Sequence, residues 1–444
     1  MTKIAAPTRT VPPLLMLVLA LMAAAAPLSI NMYLAGLPQL GEELRVNEAG
    51  AQLTLTFFLV GMATGQLVAG PLSDSRGRKK IIVAGAIGMV VMTTLAAVAP
   101  SIGVLYAARL FQGLAGGAAV VLARTAVVDM VRGPEVARVF SLLMVIGGLA
   151  PVVGPVLGGF IVDPFGWRGI FWLLLGINVV MLLGALFVVP ETLPVEERRP
   201  ASVRVLWNDF RGLVSDRPYL GFTLSYIFSF GTMFAYVSAS AYVLQSHYGV
   251  SPLQYSLIFA TNGLGMFVAG LLNARLVRSI DPLVLARVGN AGLVLGALGL
   301  LVTTLADGPL AIVLVLLFLV VTSMGLNMAN NSALAMGHSG KAKGLASALL
   351  GAGQFAFAGV LSPLVGVAAA IGFSLPVAMA SVMVLTSTAA AIALYTAAAA
   401  HNRRKAEAEA VGTQAEGEQV KPATATATAT APADKATANA PAAK

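Results

Sequence analysis

Twelve apolar runs, each about 20 residues long, constrain this chain more than any other feature of its sequence. A run of that length can cross the hydrocarbon core of a bilayer as a helix. Because no water reaches that core, each segment has to satisfy its own backbone amides, and β-strands would be shorter and would alternate in polarity. The pattern predicts an all-α membrane protein with twelve transmembrane helices. The runs cover residues 13–34, 50–72, 80–99, 102–129, 138–162, 168–190, 220–245, 253–274, 283–305, 309–336, 343–370 and 373–399.

The composition excludes a soluble globular protein. Of the 444 residues, 58% are hydrophobic and 11% are charged, whereas a soluble domain carries about 25% charged residues. The bilayer must therefore act as the solvent. Most of the positive charge lies in short clusters between the apolar runs, which indicates membrane topology and argues against a nucleic-acid partner. The chain has no cysteine and three scattered histidines, so we predict no metal and no cofactor.

The distribution of basic residues predicts an orientation. Twenty-one Lys and Arg residues lie on one side of the twelve runs, and only Arg45 and Arg168 lie on the other side. Cytoplasmic loops carry the excess of basic residues in membrane proteins. Both termini are therefore expected in the cytoplasm, and the protein in the cytoplasmic membrane.

The longest internal polar segment, Glu191–Pro218, divides the apolar runs into two sets of six. Residues 13–190 and 220–400 are expected to form two pseudo-symmetric six-helix bundles, an architecture that recurs in transporters. A faint repeat supports the division, because Ala69, Gly70 and Arg78 recur as Ala269, Gly270 and Arg278. The other segments are predicted as a cytoplasmic N-terminal tail (1–12), a cytoplasmic interdomain loop (191–219) and a disordered cytoplasmic tail (401–444).

The connection between the second and third runs carries a specific motif. It reads Gly70-Pro-Leu-Ser-Asp74-Ser-Arg76-Gly77-Arg78-Lys79-Lys80. We expect Gly70 to allow close helix packing, Gly77 to allow a tight turn, and Asp74 to pair with an arginine or face a helix N-terminus. The motif would then act as a gate, with Arg76 and Arg78 supplying charge. The alternative is a basic loop that only sets topology.

Two further segments are unusual for apolar helices. The fourth run contains Ala108-Arg109-Leu-Phe-Gln112-Gly113, and a charge inside a membrane helix is costly enough to indicate function, although its side chain could also extend to the near interface. The fifth run contains Gly154-Pro155-Val-Leu-Gly158-Gly159, whose residues allow bending and close packing. Gly154, Pro155, Gly158 and Gly159 are therefore further candidates for gating residues.

These three segments resemble the signature loop, the intramembrane arginine motif and the antiporter-associated motif of the major facilitator superfamily. The resemblance implies the major facilitator fold. Within that superfamily, residues 14–400 resemble the Bcr/CflA drug-resistance transporters. The finer match rests on Pro27–Leu34, Gln52–Leu55, Phe165–Trp172 and Phe228–Ser240.

The Bcr/CflA resemblance implies a proton-driven exporter of bicyclomycin, chloramphenicol and related compounds, and some members also release amino acids. The expected partners are the lipid bilayer, a small amphiphilic substrate and protons, and the expected state is a monomer. Two positions depart from the family pattern. Asn31 stands where members usually carry an aspartate in the first span, and Ala241 stands where they usually carry a proline.

The departure at Asn31 leaves proton coupling open, because an amide cannot titrate and a proton carrier is commonly a carboxylate. Asp129 or Asp74 could titrate instead, held near Arg124 or the cytoplasmic arginines, and Arg109 could modulate a proton site. The protein could also exchange substrates or facilitate diffusion without protons. A third interpretation is an altered variant in which an original acid was replaced.

Spans one, four, seven and ten are expected to line a central cavity. Aromatic and Met side chains offer adaptable contact surfaces, while a few amides and one arginine fix orientation. The alternative is that many of these residues only pack against neighbouring helices or form interhelical hydrogen bonds. The substrate-binding candidates are Asn31, Tyr33, Arg109, Gln112, Tyr226, Phe230, Met233, Phe234, Tyr236, Asn327, Asn330 and Asn331.

Two other functions compete with drug export. The chain could transport one metabolite, such as an amino acid or a sugar, in place of several drugs. A membrane enzyme or sensor is disfavoured, because the sequence has no Ser/His/Asp set, metal cluster, phosphate loop or appended signalling domain.

Overall fold

The computed structural model describes residues 12–130, 134–198, 203–340 and 342–419. Thirteen α-helices account for most of these residues, together with short 3₁₀ and π segments. The helices are α1 (Pro13–Asn31), α2 (Leu37–Glu43), α3 (Glu48–Arg76), α4 (Arg78–Ala97), α5 (Ile102–Met130), α6 (Pro134–Phe187), α7 (Val203–Ser215), α8 (Arg217–Ala241), α9 (Pro252–Leu276), α10 (Pro282–Leu305), α11 (Leu310–Gly337), α12 (Lys343–Ala370) and α13 (Leu375–Gln419).

The prediction of twelve spans is confirmed. Among the described residues, eleven helical stretches are long and apolar enough to cross a membrane. One of them lies in α6, which bends at Gly166 (φ 66°, ψ −178°) and therefore counts as two spans. The helix restarts at Trp167, whose backbone N–H donates to Gln39 Oε1 at 2.9 Å. The bend thus replaces the loop that was expected between the fifth and sixth spans.

Several helices begin where the local sequence supplies a cap. Ser251 and Gln254 form a capping box at the start of α9, and Pro252 follows at the first helical position. Such caps satisfy backbone N–H groups that have no partner within the helix. Asp216 does the same for α8 by accepting a hydrogen bond from the N–H of Tyr219 at 2.9 Å.

We refer to residues 13–187 as the first half and to residues 217–398 as the second half. The end of the bundle where α3 meets α4 is called the signature end, and the end where α2 meets α3 is called the opposite end. One apolar core lies within the first half around Leu19, and another lies within the second half around Phe222. The largest core joins both halves and includes Tyr33 and Tyr242.

Hydrogen bonds join the two halves at the opposite end. The Tyr242 hydroxyl donates to the carbonyl of Leu37 at 3.1 Å, and Gln245 Nε2 donates to the carbonyl of Ala35 at 3.3 Å. Gln52 on α3 accepts from the backbone N–H of Gly366 on α12 at 3.3 Å. The halves are therefore fastened together by polar contacts at this end.

Three glycines of α12 make the contact between α3 and α12 close. A Cβ atom added at Gly366 would lie 2.7 Å from the Cα of Ala49, and one added at Gly359 would lie 3.2 Å from Cγ2 of Val60. Gly351 makes a similar approach to the side chain of Gln66. Small residues at these positions let the two helices approach closely across the halves.

Two predicted polar segments differ from the structure. The interdomain loop, residues 191–219, contains the helix α7, because its apolar and polar residues recur at helical spacing. The disordered tail, residues 401–444, was predicted from its lack of apolar residues, yet α13 is helical to Gln419. Ala, Glu and Lys, which are strong helix formers, dominate residues 405–410. Residues 420–444 and the predicted tail 1–11 lie outside the described residues.

Candidate functional site

A cavity lies between the two halves. Its volume is about 20 Å³, which is room for roughly one water molecule. The walls come from α1, α8, α9 and α11, and the lining side chains carry no formal charge. The lining residues are Asn31, Met233, Tyr236, Val237, Phe259, Asn262, Gly263, Met266 and Val321.

The polar wall of this cavity is a Tyr–Asn pair of the second half. Asn262 Nδ2 on α9 donates to the hydroxyl of Tyr236 on α8 at 2.9 Å. The Tyr236 ring stacks on Phe259, with ring centroids 5.3 Å apart and planes 15° apart. The hydrogen bond satisfies polar groups that would be costly to bury unpaired. The pair thus presents a neutral, rigid and partly aromatic surface to the cavity.

Asn31 provides the polar group of the first half. It is 8% exposed at the end of α1, and its Nδ2 donates to the carbonyl of Pro27 at 2.7 Å. An amide neither gains nor loses a proton near neutral pH. Asn31 can therefore offer hydrogen bonds to a substrate, but it cannot carry a proton across the membrane.

Arg109 lies behind this turn of α1 and is completely buried. Its Nη1 donates to the carbonyl of Ser29 at 3.2 Å and to Gln112 Oε1 at 2.7 Å. The last carbonyls of a helix have no partner within the helix, and they form the negative end of its dipole. The guanidinium therefore stabilises the end of α1, on the turn that carries Asn31.

Aromatic rings surround the Arg109 guanidinium. Its central carbon lies 4.2 Å from the ring centroid of Phe58, 4.7 Å from that of Tyr33 and 5.8 Å from that of Phe171. Cation–π attraction is strongest in such desolvated places, at about 2 kcal/mol or more. Nε and Nη2 of Arg109 have no hydrogen-bond partner. The charge is thus held by a helix end and rings, and none of the ion pairs among the described residues includes it.

A chain of hydrogen bonds continues from Arg109 into the first half. Gln112 Nε2 donates to Thr93 Oγ1 at 2.7 Å, and Asn178 Nδ2 donates to the same oxygen at 2.9 Å. These residues connect α5, α4 and α6. The network fixes the orientation of Gln112, which in turn holds Arg109.

A cluster of charges lies at the signature end. Arg78 begins α4, is 8% exposed, pairs with Asp74, and donates through Nε to Asp129 Oδ2 at 3.0 Å. Its backbone N–H donates to Glu191 Oε1 at 2.9 Å, which places a carboxylate at the N-terminus of α4. Asp129 also accepts a hydrogen bond from Thr192 Oγ1 at 3.0 Å. The cluster connects α3, α4, α5 and the segment after α6.

Gly77 makes the turn on which this cluster depends. Its φ angle is +98°, a conformation that side chains rarely adopt. A Cβ atom there would lie 2.6 Å from Glu191 Oε2 and 2.7 Å from Arg198 Nη2. The predictions of a turn at Gly77 and of an Asp74–arginine pair are confirmed.

The glycines of α6 pack the helix against both halves. A Cβ atom at Gly154 would lie 3.0 Å from the Cβ of Asn31, and one at Gly158 would overlap the carbonyl of Met32. On the other side, a Cβ atom at Gly159 would lie 2.8 Å from the Cβ of Ser256 on α9. Close backbone contact is therefore required here.

The prediction of close packing at Gly70 is wrong. A Cβ atom added there would meet no atom within 4 Å. The motif pattern does not reveal which face of α3 meets a neighbour, and Gly70 lies on a face that no helix covers at that height. Arg76 is exposed at the end of α3, so no close contact constrains it.

A family model described as the Major Facilitator Superfamily matches residues 19–363. The chain belongs to the major facilitator superfamily. This family assignment and the helices described above confirm the predicted major facilitator fold, with twelve spans in two six-helix bundles. The superfamily consists of transporters, so the coarse function of the chain is transport of a small molecule across a membrane.

Two bacterial relatives of this major facilitator protein are similar over most of its length. An uncharacterized MFS-type transporter, YdgK of Bacillus subtilis, is 36% identical over 351 residues, which are 79% of this chain and 87% of the relative. A bicyclomycin resistance protein homolog of Haemophilus influenzae is 32% identical over 352 residues, which are 79% of this chain and 88% of the relative.

Among solved structures, the fold is similar to that of a bacterial homolog of the human lysosomal transporter Spinster in an inward-facing and unoccupied conformation. The TM-score is 0.67 at 15% sequence identity, and the match covers 88% of this chain and 98% of the other. At this identity the likeness concerns the fold alone.

The cavity of this major facilitator brings together Asn31, Met233 and Tyr236 of the predicted substrate-binding residues. The others lie elsewhere. Tyr33, Arg109 and Gln112 are buried within the first half. They were placed in the cavity because whole helices were assigned to it, whereas only one face of each helix can line it.

The other candidates belong to the second half. Phe230 packs on Phe234 and Phe355, with ring centroids 5.2 and 5.3 Å apart. Three asparagines of α11 bond to other amides or carbonyls: Asn330 Nδ2 to Asn273 Oδ1 at 2.6 Å, and Asn331 Nδ2 to Asn327 Oδ1 at 3.0 Å. Tyr226 is half-buried on α8. None of these residues is part of the cavity wall described above.

Asp129 and Asp74 were expected near Arg124 or the cytoplasmic arginines, and the structure shows the second alternative. Arg124 is exposed on α5, and the arginine that holds Asp129 is Arg78. In the other direction, sequence reasoning missed Phe259, Asn262 and Met266 of α9. A signal was available at Asn262, because a lone amide inside an apolar run needs a partner.

Proposed function

We propose that this major facilitator protein exports small amphiphilic molecules, including drugs, from the cytoplasm by alternating access. The observation that carries the proposal is the uncharged cavity between the halves. Its aromatic and Met side chains adapt to different apolar shapes, and its Asn and Tyr groups offer hydrogen bonds to several unrelated molecules. The similarity to a bicyclomycin resistance protein homolog supports the same conclusion.

Transport requires the two halves to move. A cavity of about 20 Å³ is far smaller than the roughly 300 Å³ needed by a drug-sized ligand. The hydrogen bonds of Tyr242 and Gln52 across the halves have to break before the opposite end can open. The cavity would enlarge as these contacts part.

The orientation follows from the basic residues. With 21 of them on one side, the signature end and both termini would face the cytoplasm, and the protein would lie in the cytoplasmic membrane. One chain supplies both walls of the cavity, so we propose that the monomer is the transporting unit.

Proton exchange is the proposed driving reaction. Asp129 and Asp74 are the candidates to carry the proton, because both pair with Arg78 at the signature end. Protonation would remove the charge that holds Arg78 and would loosen the junction of α3, α4 and α5. Arg109 would supply a fixed positive charge behind the cavity.

A second candidate function is exchange or facilitated diffusion without protons. The observation that favours it is Asn31, a group that does not titrate in the cavity wall. The two candidates differ in one measurable property, which is the dependence of transport on a pH gradient.

The test uses proteoliposomes with purified protein and chloramphenicol or a fluorescent dye. Export driven by an imposed pH gradient, and abolished by a protonophore, supports the first candidate. Substrate flux that is equal with and without the gradient supports the second candidate and rejects the first. Saturable uptake of one amino acid or sugar, with no drug transport across a broad panel, would reject both in favour of a single-metabolite transporter.

A further inference from the structure

The helix α7 is joined directly to a helix that is long and apolar enough to cross the membrane. It ends at Ser215, and the membrane-spanning helix α8 begins at Arg217, so Asp216 alone separates them. With one residue between them, the Cα atoms of Ser215 and Arg217 can be at most about 7 Å apart. The C-terminal end of α7 therefore stays close to the point where α8 enters the bilayer at the signature end.

One side of α7 faces the protein. Asn208, Asp209, Gly212 and Leu213 line a groove whose other wall is formed by His338, Ser339, Gly340 and Ala342. Leu213 is 4% exposed and belongs to the apolar core of the second half. This side of the helix therefore faces the second half, and the buried Leu213 fixes the rotation of α7 about its axis.

The side that faces away from the groove exposes large apolar residues. Trp207 is 58% exposed and stacks on Phe210, with ring centroids 5.6 Å apart. Val214, two helical turns from Trp207, is 39% exposed. Trp is enriched where a membrane meets water, because its ring is apolar and its N–H is polar. An exposed apolar stripe next to the bilayer is suited to the layer in which the lipid headgroups lie.

Two arginines border this apolar stripe. Arg204 and Arg211 are both exposed and lie seven residues apart, which places them on one face of the helix. At about 100° per residue, both are within 60° of Trp207 on the helix circumference. Asp209 lies on the groove side, so its charge does not cancel theirs. The exposed side of α7 thus combines an apolar stripe with a positive border.

We propose that α7 is a lipid-binding surface that takes anionic phospholipids of the leaflet at the signature end. Trp207 and Val214 insert among the upper acyl chains, and Arg204 and Arg211 bind the phosphate and the anionic headgroup. Basic amphipathic helices bind membranes by this combination of buried apolar area and charge. The proposal concerns the lipid partner and does not depend on which substrate the protein carries.

The absence of cysteine from the chain makes the test direct, since a single introduced cysteine is the sole labelling site. Val214→Cys carries a bimane label on the proposed membrane side, and Asn208→Cys carries it on the groove side as the matched control. The full-length protein is reconstituted in phosphatidylcholine vesicles with phosphatidylglycerol. Quenching is measured with acyl-chain spin-labelled lipids and with aqueous iodide.

The expected result is quenching of the Val214 label by the spin-labelled lipids and little quenching by iodide, with the opposite order at Asn208. Strong iodide quenching at Val214 would place this side in water and overturn the proposal. Protection of Val214 from both quenchers would indicate a covering protein surface and would also overturn it.

A second experiment tests the charge. The ratio of quenching by spin-labelled phosphatidylglycerol to that by spin-labelled phosphatidylcholine is compared between Val214→Cys alone and Val214→Cys with Arg204→Gln and Arg211→Gln. Each arginine near an anionic surface contributes about a fivefold preference, so loss of both is expected to lower the enrichment by roughly 25-fold. The control carries Arg275→Gln and Arg278→Gln, an equal charge change in another exposed connection. An unchanged ratio in the Arg204/Arg211 variant, or an equal fall in the control, would overturn the role of the two arginines.

Discussion

The turn between α3 and α4 in the first half can be compared with the turn between α9 and α10 in the second half. In the first, Arg78 is 8% exposed and is held by Asp74 and Asp129. In the second, Arg278 occupies the repeated position and is exposed, and none of the ion pairs among the described residues includes it. The repeated residues therefore lie in turns of different length, since Gly77 alone separates α3 from α4 whereas residues 277–281 separate α9 from α10, and in different electrostatic environments.

The same contrast holds inside the membrane. The first half buries the charge of Arg109 at a helix end, whereas the second half buries amides such as Asn262, Asn273 and Asn330. The two halves therefore share a pseudo-symmetric backbone arrangement but differ in the buried polar side chains that they carry. The first half thus holds a fixed buried charge, while these amides of the second half form uncharged hydrogen bonds.

Arg109→Ala is expected to have the largest effect, because it removes the buried charge that distinguishes the first half from the second. The change removes two charge-assisted hydrogen bonds, each contributing about 1.5–3 kcal/mol, so we expect the transport rate to fall roughly a hundredfold. The measurement is initial efflux from proteoliposomes at matched protein content. Arg109→Lys keeps the positive charge but lacks the planar guanidinium, so its transport rate should lie between those of the parent protein and the Ala variant. Full activity of the Ala variant would show that the buried charge does not distinguish the halves.

Arg78→Gln tests the charge cluster. Asp74 and Asp129 would lose their side-chain partner, and the free energy of unfolding should fall by about 2 kcal/mol, since Asp129 is only partly exposed. The matched change Arg278→Gln should stay within about 0.5 kcal/mol, as for other surface substitutions. Both are measured by denaturant unfolding in detergent. Equal effects of the two variants would contradict the contrast between the repeated turns.

Asn31→Asp would sharpen the comparison by giving the first half a titratable group in the cavity wall. With one proton coupled to each substrate, each pH unit of gradient changes the accumulation ratio about tenfold. We expect the variant to gain a dependence on the pH gradient beyond that of the parent protein. The check is accumulation in vesicles at several gradients. Identical pH profiles would remove position 31 from the coupling mechanism.

Tyr236→Phe tests the uncharged hydrogen bonds of the second half. The hydroxyl that accepts from Asn262 is lost, and the unpaired amide should weaken substrate binding by about 1 kcal/mol, which is roughly fivefold. A double-mutant cycle with Asn262→Leu measures the coupling between the two residues. If the two single effects simply add in the double variant, the pair does not act as a unit.

Much of the fold follows from the sequence. Each predicted span overlaps a helix, because exclusion of water forces long apolar runs into helices. The turn at Gly77 was predictable from the glycine between two helical segments, and the pairing of Asp74 with an arginine from the basic residues that follow it across that turn.

The rotation of each helix is not encoded in an apolar run, because lipid-facing and protein-facing residues are equally apolar. The wall residues of α9 and the burial of Arg109 behind α1 therefore required the structure. The helix α7 was missed for a different reason, since a segment rich in arginine was interpreted by its charge and not by its periodicity.

The seam between α3 and α12 has a mechanical consequence. Interdigitated side chains would have to separate before two helices could slide past each other. At Gly351, Gly359 and Gly366, however, α12 presents only its main chain to α3. Two hydrogen bonds that Gln52 accepts, from Gly366 at 3.3 Å and from Ser362 at 3.4 Å, would have to break for the helices to slide. In the alternating access proposed above, α12 would therefore slide along α3 without having to withdraw side chains of its own at these three positions.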